Sequence, residues 1–492
     1  MAVYSVTIVA DTPEAATALR GMGLDLHERA ARRRPDTGEV AVPAVLSDEA
    51  IRQVRAAGYR VDIVEDLEQA AAARAVEVDM GANRFARPPR EAGAAREAGG
   101  ETAARRTLER LMDLSDLDET RARAAERTVL GGYLTPDEVE SSLKTLAAAY
   151  PSMASVAPLR EKTWEGRTSH VLRLGTGGQA SRVGVLITGS MHAREWGGSD
   201  ICVAFATNLL RSYASGAPLR YGHKTFTPAQ VQAILGTLEL FVLADVNPDG
   251  KAYSQSADPA NGQSQGFWWR KNRNPNTGLP GGAKGVDLNR NFDFLWSSGI
   301  GTSSDPQSFT YKGEQAFSEP ESRNVRDLLD GHPDIRYYVD VHSFGELILF
   351  SWGDDENQTT DPHQNFLNQT FDGVRGVAGD SAYKEFMPAE DQGTLVGLAQ
   401  GMHAALRAVR GKSYTVQQAV GLYPTSATSD DYAFHRHRIN GALGKVYGFT
   451  IEFGQQFVPP YAEMRKIMAD VAAALTELCR RVSESPAARG NV

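Results

Sequence analysis

Residues 184–196 read GVLITGSMHAREW, an apolar run that breaks at Gly-Ser and leads at once to His192 and Glu195. The run is continuous enough in large aliphatic residues to predict a strand that is buried on both faces of a sheet. A His-x-x-Glu spacing in the turn after such a strand lets two side chains converge on one point. The pair alone is weak support for a metal site, because a surface His near a Glu is commonplace.

A second apolar stretch, Arg336–Val341, ends directly at His342. In open α/β sheets, active sites lie beyond the carboxyl ends of the strands, so His342 is expected close to the first pair. Two imidazoles and one carboxylate, with a fourth position left open, are the donor set of a catalytic zinc ion, whose bound water reaches a pKa of about 7. The sequence therefore predicts a zinc site formed by His192, Glu195 and His342.

Seven short motifs follow one another in the enzyme-like part of the chain. In order they are HAREW, NPDG, WWRKNRN, VDLNRNF, VHSF, LYPTSATSDDY and FTIEFG. Through them residues 132–485 resemble the zinc carboxypeptidases of the pancreatic carboxypeptidase A and B type. The resemblance implies an α/β fold, a three-layer α/β/α domain with a mixed, mainly parallel sheet. It also implies one zinc ion per chain, and the C-termini of peptides or proteins as substrates.

The resemblance assigns recognition of the substrate's terminal carboxylate to arginine and asparagine side chains. Asn289 and Arg290, in VDLNRNF, match the pair that grips the carboxylate, and Arg194, in HAREW, matches a secondary carboxylate-binding arginine. Arginine suits this task because its planar fork pairs with both oxygens of a carboxylate. Arg270, in WWRKNRN, matches the arginine that stabilises the oxyanion formed when water attacks the scissile carbonyl.

The resemblance also assigns the proton transfer. Glu452 lies in the strand-like run GFTIEF, where an acidic side chain is costly to bury without a purpose, and it matches the general base. Tyr423 matches a mobile tyrosine that closes over the substrate, and Asp287 matches the carboxylate that orients His192. Phe344 departs from the pattern, because many relatives have Tyr there. The change removes a hydroxyl from a subsite wall and leaves the chemistry intact.

Asp430 is the position that matches the base of the specificity pocket, seven residues after Tyr423. Apolar-specific relatives have a branched aliphatic residue there, whereas basic-specific ones have Asp in a similar Ser-Asp-Asp run. A carboxylate at the bottom of a closed pocket favours a cationic substrate side chain. We therefore expect release of C-terminal Lys and Arg, alone or together with bulky apolar residues. The alternative is that Asp430 turns aside to pair with Arg436 or Arg438, or to cap a turn.

The remainder of the chain divides by composition. Residues 1–67 alternate strand-like and helix-like segments and predict a small α+β module, which is either a propeptide or an unrelated accessory domain. Residues 68–131 are rich in Ala, Arg and Glu and predict a partly helical linker, with a candidate cleavage region at Arg121, Arg123 and Arg127. Residues 132–485 form the predicted catalytic domain, and residues 486–492 a tail.

Composition excludes several other classes of protein. The formal net charge of the 492-residue chain is −9, which argues against nucleic acid as a partner. The two cysteines cannot build a disulfide framework or a cysteine-based zinc cluster, and no apolar run is long enough for a membrane span. The N-terminus lacks the features of a signal peptide. We expect a cytoplasmic protein, or a secreted one if a signal peptide precedes this sequence.

Two other functions remain compatible with the sequence. One is a cell-wall peptidase of the same family that cuts diaminopimelate-containing or γ-linked peptides, because its site residues would be nearly the same. The other is a non-catalytic binding protein on this fold. Relatives of that kind have usually lost a zinc ligand or the glutamate base, and both are present here at His192, Glu195, His342 and Glu452.

Overall fold

The chain folds around two main sheets, one in the first 66 residues and one in residues 154–453. The structure, a computed structural model, describes residues 2–78, 83–85, 97–115, 117, 132–177, 182–256, 264–275, 284–377, 379–421 and 423–485. The strands are β1 Val3–Ala10, β2 Asp25–Leu26, β3 Arg32–Arg33, β4 Val40–Ser47, β5 Arg60–Asp66, β6 Ala154–Pro158, β7 His170–Leu174, β8 Val183–Gly189, β9 Leu219–Tyr221, β10 Lys224–Phe226, β11 Leu238–Leu243, β12 Ile335–Ser343, β13 Leu347–Phe350, β14 Asn357–Gln358, β15 Glu385–Phe386, β16 Thr415–Gln418 and β17 Tyr447–Phe453. The helices are α1 Pro13–Ala18, α2 Asp48–Ala56, α3 Leu67–Ala75, α4 Glu97–Leu111, α5 Pro136–Ala149, α6 Gly197–Ser215, α7 Pro228–Thr237, α8 Pro248–Gln255, α9 Pro320–Gly331, α10 Ala389–Arg410, α11 Ser429–Ile439 and α12 Tyr461–Ser483.

The N-terminal module is an antiparallel sheet in the order β2-β4-β1-β5, with β3 paired to β4 and with helices α1 and α2. Strand β4 alternates buried and partly buried residues, so one of its faces packs on the helices. The side chains of Thr12 and Ser47 accept hydrogen bonds from the first turns of α1 and α2, which fixes where these helices begin. The predicted α+β pattern of this segment is confirmed.

The larger sheet has eight strands in the order β16-β13-β17-β12-β8-β11-β7-β6. Its four central strands, β17, β12, β8 and β11, run parallel, and antiparallel pairs flank them on both sides. Helices pack against the sheet, with α6 on β8 and α11 on β17. The central strands are buried along nearly their whole length, as their continuous apolar sequences predict.

The parallel register brings the predicted site residues to one edge of this sheet. Strand β8 ends just before the turn that carries His192 and Glu195, and β12 ends with His342 and Ser343. In the pairing of β12 with β17, His342 stands directly opposite Glu452. The carboxyl ends of three adjacent strands therefore supply the centre of the site.

Two glycines permit close backbone approaches behind the site. A Cβ on Gly198, at the start of α6, would lie 2.7 Å from the backbone nitrogen of Ser190, so only glycine lets the helix meet the end of β8. A Cβ on Gly448 would lie 2.3 Å from the carbonyl oxygen of Asp430. Glycine in β17 therefore allows the first turn of α11, which carries Asp430, to press against the sheet.

The described parts of residues 68–131 pack on the larger domain. Helix α3 contributes Ala70 and Ala71 to the core that also contains the large sheet, and Leu108 and Met112 are fully buried in the same core. The candidate cleavage region at Arg121, Arg123 and Arg127 lies outside the described residues, as does the tail. Cys202 and Cys479 are buried and unpaired. Within the described ranges, no helix combines the length and the apolarity that crossing a bilayer requires.

Candidate metal centre and its cover

The three predicted metal ligands meet at the edge of the sheet. Glu195 Oε1 lies 2.8 Å from His192 Nδ1, Glu195 Oε2 lies 2.9 Å from His342 Nδ1, and the two Nδ1 atoms are 3.1 Å apart. One ligand atom from each residue lies within 4.8 Å of the others, and all three side chains are buried. Two donors at zinc's usual bond lengths stand about 3.3 Å apart in a tetrahedron, so this donor set fits a zinc ion.

Two further carboxylates fix the orientation of the imidazoles. His192 Nε2 lies 3.2 Å from Asp287 Oδ1, and His342 Nε2 lies 2.8 Å from Asp340 Oδ2. Each ring therefore donates its far N–H to a carboxylate, which leaves Nδ1 free to face the centre. Burial and Arg270 lower the pKa of His192, whereas the pKa of His342 is raised because Asp340 and Glu195 outweigh the opposing effect of burial.

Asp340 is a site residue that the sequence analysis missed. It also accepts hydrogen bonds from Thr188 Oγ1 and Ser429 Oγ, both at 2.8 Å, and it is fully buried. A signal was available, because Asp340 precedes His342 by two residues on one strand and both side chains therefore point to the same face. Asp287, in contrast, was predicted from the family motif.

Arg270 lies beside the ligand pair. Its Nε and Nη2 donate to Asp287 Oδ2 at 3.0 and 2.9 Å, and its Nη1 stands 3.3 Å from His192 Nδ1. Burial works against this charge, but Asp287 and Glu195 raise the pKa of Arg270 above its ordinary value. The site thus holds a fixed positive charge next to the metal ligands, where an oxyanion can be stabilised.

Glu452 stands beside the centre with one oxygen free. Among the described residues, its Oε2 has no hydrogen-bond partner, although the side chain is only 4% exposed. Burial raises the pKa of Glu452 to about 7, against the lowering effect of His342, and Glu195 adds to the rise. A buried carboxyl group that titrates near neutrality next to a metal site is suited to accept and return a proton.

The candidate carboxylate-binding residues are Asn289 and Arg290, and Asn289 lies beside the far nitrogen of His342. Asn289 Oδ1 accepts a hydrogen bond from the backbone N–H of Ser429 at 2.9 Å, and Asn289 Nδ2 is 3.5 Å from His342 Nε2. Arg290 donates to the carbonyl oxygens of Gly301 and Asn289 at 2.9 and 2.6 Å. In the part of the chain that the structure describes, no carboxylate lies within 4.0 Å of Arg290, so its charge is not neutralised by an internal partner. Burial lowers the pKa of Arg290 to about 10.

A short segment of the N-terminal module, Asp25–Ala30, covers this centre and was not anticipated as part of the site. Both guanidinium nitrogens Nη1 and Nη2 of Arg194 pair with the carboxylate of Asp25, the second at 3.0 Å. His27 Nε2 lies 3.9 Å from Glu452 Oε2 and 2.5 Å from the carbonyl oxygen of Phe344. Its ring stacks on Phe344 with the centroids 4.6 Å apart, and burial lowers its pKa to about 3, so the imidazole is neutral.

The same segment places Arg29 against Asp430. Arg29 Nη2 lies 3.5 Å from Asp430 Oδ1, and both side chains are buried. Asp430 Oδ2 accepts a hydrogen bond from Thr450 Oγ1 at 2.8 Å. Burial works to raise the pKa of Asp430, but the charge of Arg29 together with hydrogen bonds from Thr428 and Thr450 holds the pKa below its ordinary value. Arg436, the alternative partner, pairs with Asp330 instead.

Tyr423 is held by the module as well. Its hydroxyl donates to the carbonyl oxygen of Ala16 at 2.9 Å, and its ring belongs to the hydrophobic core of the module. Arg20 lies over the ring, with its guanidinium carbon 5.0 Å from the centroid, and donates to the carbonyl oxygen of Pro424 at 2.8 Å. Five residues of the module, Ala16, Arg20, Asp25, His27 and Arg29, therefore contact predicted site residues or their neighbours.

A buried His-Glu-His donor set at the carboxyl edge of a mixed α/β sheet, with a free carboxyl group and a cation beside it, defines a zinc hydrolase. The sequence profile of the zinc carboxypeptidase family matches residues 139–474. The chain therefore belongs to the zinc carboxypeptidase family and is a metallocarboxypeptidase. The zinc predicted from the sequence is confirmed as the cofactor of this family.

Individual relatives agree with this assignment. The chain is 32% identical over 322 residues to carboxypeptidase B of Astacus astacus, covering 65% of this chain and 86% of that protein. It is 28% identical over 335 residues to carboxypeptidase A1 of Rattus norvegicus, covering 68% of this chain and 65% of that protein.

Solved structures extend the likeness to the N-terminal module. The crystal structure of thrombin activatable fibrinolysis inhibitor aligns with a TM-score of 0.64 at 19% identity, covering 99% of this chain and 100% of that one. Carboxypeptidase A from Helicoverpa armigera aligns with a TM-score of 0.66 at 20% identity, covering 98% of each chain. At these identities the likeness concerns the fold alone, and it confirms the predicted three-layer α/β/α architecture.

Proposed function

We propose that this metallocarboxypeptidase releases C-terminal Lys and Arg from peptides, and that Asp430 recognises the cationic side chain. The observation that carries the proposal is the buried pair of Arg29 and Asp430, 3.5 Å apart. A guanidinium already occupies the place that a substrate side chain would take. Leaving the Asp430 carboxylate buried without a cation would cost several kcal/mol, so a neutral substrate side chain is disfavoured there.

The surroundings of Asp430 support this role over an internal one. Arg436 is engaged by Asp330, and the guanidinium of Arg438 lies over the rings of Phe366 and Phe386, 5.8 and 5.5 Å from their centroids. Among the described residues, the cation within 4.0 Å of Asp430 is therefore Arg29, which belongs to the covering segment. Removal of that segment would leave the carboxylate ready for an incoming Lys or Arg.

The remaining residues are proposed to act on the scissile bond as follows. His192, Glu195 and His342 would hold the zinc ion, which would supply a Lewis acid to activate water and polarise a carbonyl. Glu452 takes a proton from the attacking water at its free Oε2 and returns it to the leaving amine. Arg270 stabilises the negative charge that develops on the carbonyl oxygen.

Substrate positioning is proposed to fall to residues around the pocket. Arg290, which lacks an internal carboxylate partner in the described ranges, pairs with the terminal carboxylate together with Asn289. Arg194 gives a second carboxylate contact once Asp25 has left it. Tyr423 closes over the peptide after its hydroxyl is released from Ala16.

We further propose that residues 1–67 act as an inhibitory propeptide rather than as an unrelated accessory domain. Asp25 sits on Arg194 as a substrate carboxylate would, Arg29 sits on Asp430, and Tyr423 is tied to the module. With these contacts in place a peptide cannot reach the centre, because Arg194 and the side-chain site at Asp430 are already filled.

The decisive experiment compares matched peptides ending in Arg, Lys and Leu on the enzyme activated by limited proteolysis, with and without a chelator. The wild type should release Arg and Lys with a higher kcat/KM than Leu, and the chelator should abolish all release. Asp430→Ile should lower the kcat/KM for Arg far more than for Leu, since a desolvated charge pair contributes roughly 2–5 kcal/mol. Asp372→Ile, on the surface, is the matched control.

Equal losses for the Arg and Leu peptides in Asp430→Ile would show that Asp430 does not recognise the side chain. No release from any linear peptide, together with cleavage of muropeptides, would replace the proposal with the cell-wall peptidase function. Both outcomes leave the family assignment intact.

A further inference from the structure

Two buried carboxylates stand at the start of helix α9, outside the metal centre. Glu319 immediately precedes the helix, and Glu321 lies in its first turn. Among the described residues, no lysine, arginine or histidine nitrogen lies within 4.0 Å of either carboxylate. Ser318 Oγ and Trp164 Nε1 donate to the two oxygens of Glu319 at 2.7 and 2.8 Å. Buried carboxylates that lack a cation depend on such neutral donors.

The other donors come from the segment that carries Arg270. Asn272 Nδ2 donates to Glu319 Oε2 at 2.7 Å and to Glu321 Oε2 at 2.9 Å. Asn274 Nδ2 lies 3.0 and 3.1 Å from the two oxygens of Glu319. The two carboxylates therefore bind one short stretch of chain that begins two residues after Arg270.

Asn272 also binds the segment that carries Asp287. Its Oδ1 accepts a hydrogen bond from the backbone N–H of Val286 at 2.8 Å, and its own N–H donates to the carbonyl oxygen of Val286 at 3.0 Å. Arg270 and Asp287, which pair at 2.9 Å, therefore belong to two segments that Asn272 joins. The spacing of these segments depends in turn on the carboxylates that hold Asn272.

The start of α9 contacts the segment of Arg290 as well. The backbone N–H of Glu319 and the hydroxyl of Ser322 donate to Asn291 Oδ1 at 3.1 and 2.6 Å. Asn291 directly follows Arg290 in the chain. One helix start therefore fixes both the segment that carries Arg270 and the segment that carries Arg290.

Glu321 has one buried oxygen, Oε1, without a hydrogen-bond partner in the described ranges. Burial raises the pKa of Glu321 to about 8, against the lowering effect of the hydrogen bond from Asn272, and the charges of Glu319 and Asp249 add to the rise. Glu321 is therefore mostly uncharged at neutral pH and gains its charge as the pH rises through about 8. Like charges repel strongly in a buried site, so this titration would disturb the contacts with Asn272.

We propose that Glu319 and Glu321 are positioning residues for peptide hydrolysis, which act through Asn272 to hold Arg270 where the oxyanion forms. The inference rests on the proposed function, because it needs Arg270 to stabilise that oxyanion. In the part of the chain that the structure describes, neither carboxylate forms a hydrogen bond with Arg270 itself, so the effect passes through the backbone. A misplacement of about 1 Å can cost about 10²-fold in rate, so the loss of these contacts should lower turnover.

The first test measures kcat and KM on a peptide that ends in Arg, with the full chain after limited proteolysis. Glu319→Gln has one acceptor oxygen instead of two, and its NH2 group faces other donors. We expect kcat to fall about 10–100-fold, with KM and the zinc content little changed. Glu314→Gln, at an exposed carboxylate five residues earlier, is the control and should keep the kcat of the wild type. A wild-type kcat in Glu319→Gln would overturn the inference.

A double-mutant cycle with Arg270→Ala separates positioning from a general loss of stability. If Glu319 acts through Arg270, Glu319→Gln should lower the residual kcat of Arg270→Ala much less than it lowers the kcat of the wild type. Equal reductions in the two backgrounds would show that Glu319 does not act through Arg270, and the inference would then be wrong.

The pH profile is a second test, which decides the matter even if Glu319→Gln does not fold. The kcat of the wild type should decline as the pH rises through about 8, because Glu321 gains a charge beside Glu319. Glu321→Gln resembles the protonated side chain and keeps an acceptor for Asn272. It should therefore retain its kcat at neutral pH and lose the alkaline decline.

The possible failures are distinguishable. A wild type without the decline would contradict the inference. A decline that persists in Glu321→Gln would belong to another group, such as Lys271, whose pKa burial lowers to about 8, and would contradict it equally. Both results leave the proposed function standing. Absence of cleavage by the zinc-loaded wild type at every pH would count against the proposed function itself.

Discussion

Glu452 has the clearest individual role, because its buried carboxyl group stands opposite His342 in the β12–β17 pairing and its Oε2 has no hydrogen-bond partner among the described residues. Glu452→Gln should retain zinc and bind substrate but lose turnover by at least ~10²–10⁴-fold, since the amide cannot accept a proton from water. The measurement is kcat on an Arg-ending peptide alongside the zinc content of the same preparation. Glu390→Gln, on the exposed first turn of α10, is the control. Near-normal turnover would mean that another base acts.

Asp340 is expected to act through His342 rather than on the substrate. Asp340→Asn should weaken zinc binding by about 10–100-fold, because the far nitrogen of His342 loses a charged acceptor. Zinc affinity measured by competition with a chelator is the primary measurement, and turnover per bound zinc should change much less. If the zinc affinity of Asp340→Asn equals that of the wild type, Asp340 does not contribute to metal binding through His342.

The sequence predicted most residues of the metal centre but few of the contacts made by the segment that covers it. His192, Glu195 and His342 follow strand ends and stand in family motifs, so their meeting was predictable from the residues alone. Asp340 was within reach through its spacing on β12. The pairs Arg194–Asp25 and Asp430–Arg29 were not, because each joins residues more than one hundred positions apart through the docking of one sheet on another.

At the scale of elements, the segment Asp25–Ala30 is the part of the module that reaches the centre. Arg29→Ala in the uncleaved chain should raise its basal peptidase activity on the order of 10²-fold, because breaking a buried ion pair leaves Asp430 uncompensated and costs about 3–5 kcal/mol. The assay is peptide release by the intact chain, with its integrity checked before and after. Arg52→Ala, on the exposed face of α2, is the control and should leave the basal activity low. An unchanged basal activity in Arg29→Ala would argue against inhibition by this segment.

Most elements were predictable because their signals are local. The alternation of strands and helices predicted for residues 1–67 is present, and caps such as Thr12 and Ser47 help to define the helices. The linker interpretation captured the helical content of residues 68–131 but not the burial of Leu108 and Met112. Those side chains find their partners in the catalytic domain, and composition alone cannot reveal such partners.

At the scale of the whole molecule, the module and the catalytic domain are expected to separate after a single cut. We predict that limited proteolysis cleaves between about residues 90 and 131 and leaves a stable C-terminal fragment, because a linker rich in Ala, Arg and Glu precedes a catalytic domain with its own hydrophobic core. Activity on Arg-ending peptides should rise as the intact chain disappears. Mass spectrometry of the fragments locates the cut, and unchanged activity would favour an accessory domain.

If the two proposals hold, the pairing of Arg29 with Asp430 joins two properties that are usually considered separately: which substrate the enzyme cleaves and when it becomes active. Any substitution at position 430 that altered the preferred substrate would also weaken the binding of the N-terminal module. A mutation that changed the specificity would therefore also cause activity before cleavage. A variant designed to release C-terminal Leu and to remain inhibited before cleavage should therefore carry substitutions at both positions, for example Arg29→Leu and Asp430→Ile. The residue at position 29 would then predict the substrate specificity, because its side chain would occupy the same pocket as the C-terminal side chain of the substrate.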